Sequence, residues 1–148
     1  MRGLLLEHGR CAEPLVTARA LGAREGESAP NLGGPEELGA ESMLMLVAYQ
    51  VALEVITQLR PIVEKIKQHD AHLADQLRCA GPNTLANLAE GQRRKAGNKR
   101  RAFENAHGEA REMLGCLECA FAWGYALDDT QVRATLDRLL ALCWGLSH

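Results

Sequence analysis

Six cations and no acid lie between Gln92 and Arg101: Arg93, Arg94, Lys95, Lys99, Arg100 and Arg101. A cluster this dense does one kind of chemistry well, the capture of phosphate or another polyanion. It is the only strongly charged block in a chain of formal net charge -2. Arg93, Arg94 and Lys95 are expected in the last turn of a helix, where cations complement the helix dipole and Glu90 pairs with Arg94 at i,i+4. Lys99, Arg100 and Arg101 are expected in the first turn of the next helix. There they oppose the dipole by roughly 0.3–1 kcal/mol each, and a phosphate would restore the balance. The competing readings are a solvated charged turn and subunit pairing with acids on the third helix.

Other residues invite weaker chemistry. Cys116-x-x-Cys119 has metal or redox spacing, but a tetrahedral site needs two further ligands and no second CxxC or HxxxH exists. Both cysteines read as small buried hydrophobes, as do Cys79 and Cys143. His69 and His72, or His107, would need a carboxylate such as Asp75 or Glu112 to hold a metal, and partly exposed polar positions are the simpler reading. Asn87 and Glu90 sit one turn apart in an apolar run and read as a polar network fixing helix register. No Gly-rich phosphate loop, nucleophile elbow or H-E-x-x-H helix occurs. The expectation is a non-enzyme without catalytic residues, metal or cofactor.

The elements that position these residues are helical. Ala and Leu dominate and aromatics are few, which favours helices over strands. Residues 1–42 hold seven of the fourteen glycines, three of the five prolines, and seven acids against four bases. That composition buries too little apolar surface to offset ordering entropy, so the segment reads as a disordered extension. Residues 43–148 read as one domain. Val47, Val51, Val55, Leu59, Ile62 and Ile66 recur at spacings of three and four, with Pro61 expected to kink that helix or open a new turn. Asp70 is the N-cap expected for a second helix carrying Leu73, Leu77, Ala80, Leu85, Leu88 and Ala89. Gly81-Pro82-Asn83 kinks or divides it.

Gly97-Asn98 has the residues of a helix end followed by an N-cap. A third helix is expected from about Lys99 to Ala126, with Ala102, Phe103, Ala106, Ala110, Met113, Leu117, Ala120 and Phe121 facing inward. Gly108 and Gly115 within it call for close helix contact to offset their low propensity. Asp128-Asp129-Thr130 starts a fourth helix carrying Val132, Leu136, Leu139, Leu140, Cys143 and Leu146. Trp123, Tyr125 and Trp144 are expected together at the end remote from the cations. Short connections make successive helices antiparallel, so the fold class is all-α, an up-down-up-down four-helix bundle. The chain shows no h-region and no run of about 18 uninterrupted apolar residues. Five cysteines without framework spacing point to free thiols and the cytoplasm.

Read without gaps, Gln76-Leu77-Arg78-Cys79-Ala80-Gly81-Pro82-Asn83-Thr84-Leu85-Ala86-Asn87-Leu88-Ala89-Glu90-Gly91 resembles the core motif of the bacterial four-helix bundle proteins linked to 23S rRNA intervening sequences. That motif runs Q-L-R-R-A-A-x-S-I-P-x-N-I-A-E-G, then one or two residues and an Arg, here Arg93. Phe103 followed by Ala106-His107-Gly108-Glu109-Ala110-Arg111-Glu112 is similar to the family's F-x-x-A-x-G-S-x-x-E. Ala122-Trp123-Gly124-Tyr125 and Ala48-Tyr49-Gln50-x-Ala52-Leu53-Glu54 resemble its other blocks, and the likeness covers about residues 43–146. The departures are Cys79 for a basic residue, Asn83 and Leu85 for Ser and Pro, Pro82 three positions early, and Glu109 for Ser. The resemblance implies a left-handed four-helix bundle assembling as a ring-like homopentamer. It marks Arg78, Asn87, Glu90, Gly91 and Glu112 as structural motif residues. It also implies an association with RNA, or with a reverse transcriptase as an accessory subunit in a diversity-generating retroelement.

Overall fold

A computed structural model describes residues 39–148, and the disorder expected for residues 1–42 falls almost wholly outside them. The described residues form four α-helices and no strand: α1 (Ala40–Lys67), α2 (Ala71–Arg93), α3 (Ala96–Ala122) and α4 (Thr130–Ser147). α1 packs mainly against α2 and α4, and α3 against the same two helices. The helical part starts three residues before the expected boundary, with Glu41 in the first turn of α1.

The expected stripes form the core, except that Val47 and Leu85 are half-buried and Ala89 is exposed. Val51, Val55, Leu59, Ile62 and Ile66 of α1 are buried with Leu73, Leu77, Ala80 and Leu88 of α2. They meet Ala106, Ala110, Met113, Leu117 and Ala120 of α3 and all six expected residues of α4. α1 is the one helix among the described residues long and apolar enough to cross a membrane, yet nine of its side chains are buried in the bundle. Phe121 is a correction. It is 76% exposed, one residue past Ala120, the last residue on the buried face of α3.

Neither proline divides its helix. Pro61 and Pro82 both lie on exposed faces, where the carbonyl left without a donor turns to solvent. Buried neighbours on the opposite face, Leu59, Ile62 and Val63 in α1 and Ala80 and Thr84 in α2, hold each helix continuous. Thr84 is fully buried and donates its hydroxyl to the Ala80 carbonyl at 2.9 Å.

The connections follow local chemistry. Asp70 caps α2 as expected, its Oδ1 accepting from the Leu73 N–H at 2.9 Å. α3 ends at Ala122, four residues before the expected Ala126. Gly124 adopts φ +78°, donating to the Phe121 carbonyl at 2.9 Å, while Tyr125 donates to the Ala120 carbonyl at 3.0 Å. This is a Schellman stop, for which Gly at C′ is the usual residue. The α2–α3 break comes three residues earlier than Gly97-Asn98. Arg94 and Lys95 are extended, and Ala96 takes φ +50° as the first residue of α3.

Candidate nucleic-acid interface

The six cations lie on and beside the two-residue turn at Arg94–Lys95, from the last residue of α2 to the second turn of α3. Arg93 is the last residue of α2, Arg94 its C-cap and Lys95 the N-cap of α3. Since α3 begins at Ala96, Lys99 is its fourth residue, and Arg100 and Arg101 enter the second turn. The dipole penalty expected for a first-turn triplet is therefore reduced, because the effect falls off within one turn.

Three of the six cations have carboxylate partners. Arg94 pairs with Glu90 as expected, Arg100 Nε lies 3.2 Å from Glu104 Oε1, and Lys99 reaches across to Glu41 of α1. Glu41, in the stretch expected to be disordered, thus ties the start of α1 to the start of α3. Arg93, Lys95 and Arg101 are exposed and form no ion pair among the described residues. Exposed ion pairs contribute about 0–1 kcal/mol, so the paired carboxylates compete only weakly with a phosphate.

The motif residues divide between surface and core. Arg78 pairs with Asp75 at 3.0 Å on an exposed face. Asn87 donates to the Asn83 carbonyl at 2.9 Å, and Glu90 bonds Arg94. Within the chain both therefore find their partners on α2, and the expected register-fixing network between helices does not form. Register is fixed by Gly91 instead. A Cβ there would lie 2.6 Å from Cδ1 and 2.9 Å from Cζ of the buried Phe103 ring. Gly91 ends the first sequence block that carries the family resemblance and Phe103 opens the second, so this contact joins the two blocks.

Two departures from the family pattern also meet. Asn83 Nδ2 donates to Glu109 Oε2 at 3.3 Å, bridging α2 and α3. Burial pushes the Glu109 carboxyl above its usual value, the Asn83 bond works against that, and nearby Glu112 adds to the rise. Glu112 itself is exposed. Gly108 and Gly115 are a correction, because a Cβ at either would meet nothing within 4 Å. They lie on an exposed face of α3, and none of the four described helices approaches them.

Cys116 is buried and Cys119 exposed, so the pair does not form two core positions as expected. Burial raises the Cys116 thiol to about 11 and the Cys143 thiol to about 12. Cys79 is disulfide-bonded, so the free-thiol reading does not hold for it. His69 stacks on Tyr125 with ring centroids 4.7 Å apart, and His72 is exposed. Among the described residues no group of three His, Cys, Asp or Glu is arranged to hold a metal.

The aromatics separate. Tyr125 keeps company with His69, whereas Trp144 of α4 stacks on His148 at 3.6 Å and lies 5.9 Å from His107 of α3. The expected cluster of Trp123, Tyr125 and Trp144 therefore does not form, since α3 and α4 carry the two tryptophans to different places. Burial lowers the His107 pKa, and the charges of Arg111 and His148 lower it further. An apolar groove along α1 and α2, lined by Ile56, Leu59, Val63, Leu77, Gly81 and Pro82, contains none of the six cations. No family model, curated protein or solved structure matches the chain.

Proposed function

We propose that this chain is a non-enzymatic binding protein that engages RNA through the basic turn between α2 and α3. The observation that carries the reading is the concentration of six cations in and around one short turn, three of them free of carboxylate partners among the described residues. Extended Arg94 and Lys95 present their side chains to solvent, and exposed Arg93 and Arg101 flank them. The resemblance to the proteins linked to 23S rRNA intervening sequences supports the same assignment. It adds a left-handed bundle and assembly as a homopentamer, while the short connections between helices favour an up-down-up-down order. A pentamer would repeat the turn to give about thirty cations on one rim, enough for salt-sensitive binding without sequence preference.

RNA retention should fall steeply with added salt. Replacing Arg93, Lys95 and Arg101 with Ala should lower the log–log salt slope by about 2, at roughly 0.7 per phosphate contact on a single strand. Charge reversal of Lys99, Arg100 and Arg101 to Glu should abolish retention. Binding by both variants equal to that of the parent chain would refute the reading, and native mass spectrometry reads the assembly directly. Phe121 and Trp123, 76% and 70% exposed, favour a second reading. In it the chain is a protein–protein adaptor, such as an accessory subunit of a reverse transcriptase. Loss of reverse-transcriptase capture on Trp123→Ala, with RNA binding absent from the parent chain, would select it.

A further inference from the structure

Trp144 is the feature that the basic turn does not explain. Its side chain is 55% exposed, an unfavourable place for the largest apolar side chain unless something covers it. It is also held in position, one face stacked on the His148 ring and the edge of the stack against His107 of α3. His148 is fixed in turn, its Nδ1 lying 3.1 Å from the Ser147 hydroxyl and 3.2 Å from the Trp144 carbonyl.

The neighbouring surface of α3 carries two arginines. Arg100, Glu104, His107 and Arg111 recur at spacings of four, three and four, which places them in one row along the helix. Arg100 belongs to the basic turn, so this row leads from the turn to the tryptophan. At 1.5 Å per residue, Arg100 and Arg111 bracket about 16 Å of surface with His107 between them. Glu104 is the one carboxylate in the row, and it is bonded to Arg100 at 3.2 Å. The surface thus offers an aromatic face flanked by two guanidinium groups, and a ligand that fits both is a π-system strung on a phosphate backbone. An unpaired nucleotide has that chemistry. A duplex does not, because its bases are already stacked on one another and A-form RNA is contacted through its backbone and shallow groove.

We propose that Trp144 is a stacking platform for an unpaired base of an RNA strand whose phosphates run along Arg100 and Arg111. The protein then prefers single-stranded to double-stranded RNA. This inference rests on the nucleic-acid reading of the basic turn and names the class of RNA that the turn takes.

The test measures binding of the full chain to a fluorescein-labelled oligouridylate of about twelve nucleotides and to a duplex of the same length. Trp144→Ala should weaken oligouridylate binding by about 5- to 150-fold and leave duplex binding unchanged. Trp144→Phe should recover most of the loss, and Glu104→Gln, which frees Arg100, should tighten binding. In a Trp123→Phe background, where Trp144 is the only tryptophan, the oligonucleotide should quench the indole emission. Circular dichroism of Trp144→Ala should match the parent chain, since the side chain is half exposed. Oligouridylate binding unaffected by Trp144→Ala, but lost on reversal of Lys99, Arg100 and Arg101, would overturn the stacking proposal and leave the basic turn standing. Failure of the parent chain to bind either RNA would overturn both.

Discussion

Gly91→Ala isolates the contact that sets the α2–α3 interface. The same substitution made at three helical glycines should give opposite signs. Ala is favoured over Gly in a helix interior by about 1 kcal/mol, and this gain is common to all three sites. At Gly91 the added methyl enters the ring of Phe103, 2.6 Å from Cδ1 and 2.9 Å from Cζ. Phe103 is buried against the core and cannot swing aside. Overpacking of this kind costs typically 1–3 kcal/mol and can exceed that, so after the helix gain Gly91→Ala should be net destabilising by up to about 2 kcal/mol. At Gly108 and Gly115 the methyl meets nothing, so each should gain about 0.5–1 kcal/mol. Urea unfolding followed by circular dichroism reads all three as shifts in midpoint at constant slope. A double-mutant cycle with Phe103→Leu should show that Gly91→Ala costs less once the ring is gone. A stabilised Gly91→Ala would refute the packing account, as would a cost that survives removal of the ring.

Ala96→Gly should stabilise the chain by about 0.5–1 kcal/mol despite Gly's low helix propensity, because φ +50° strains any residue with a Cβ; urea midpoints would show it. Among the free cysteines, Cys119 should react fast with a maleimide under native conditions. Cys116 and Cys143, raised to about 11 and about 12 by burial, should react only on unfolding, as mass spectrometry of timed samples would reveal. Glu109 has a folded pKa above its unfolded value, so its ionisation opposes folding once the pH rises past the ordinary glutamate range. Glu109→Gln should therefore stabilise the chain at pH 7 relative to the parent, and the gain should shrink as the pH falls below that range. Thermal unfolding across pH 3–8 would sink the argument if the gain grew on acidification.

The helix ends show where sequence reasoning reached its limit. Asp70 was legible because its cap is local, a side chain bonding an N–H three residues on. The end of α3 was legible in principle. Gly124 carries the signal of a C′ glycine, but the apolar residues that follow it, Ala126 and Leu127, extend the helical pattern past the true stop. The α2–α3 break carried a false signal. Gly97 and Asn98 have the residue types of a helix junction, yet the chain turns at Arg94 and Lys95 and leaves the strain on Ala96. That shift moved Lys99, Arg100 and Arg101 away from the helix terminus and changed the electrostatic argument made for them.

The sequence alone determined the helical periodicity, the four buried stripes and the confinement of six cations to one short stretch of chain, since each depends on residues within a few positions of one another. Tertiary structure decided which cations remain free, because Lys99 is neutralised by Glu41, 58 positions away on another helix. It also decided that Gly91 answers to Phe103, that Asn83 meets Glu109, and that Trp144 stands beside His107 rather than Tyr125. Those pairings depend on how the rods are set against one another, and periodicity within a single helix carries no record of its neighbours.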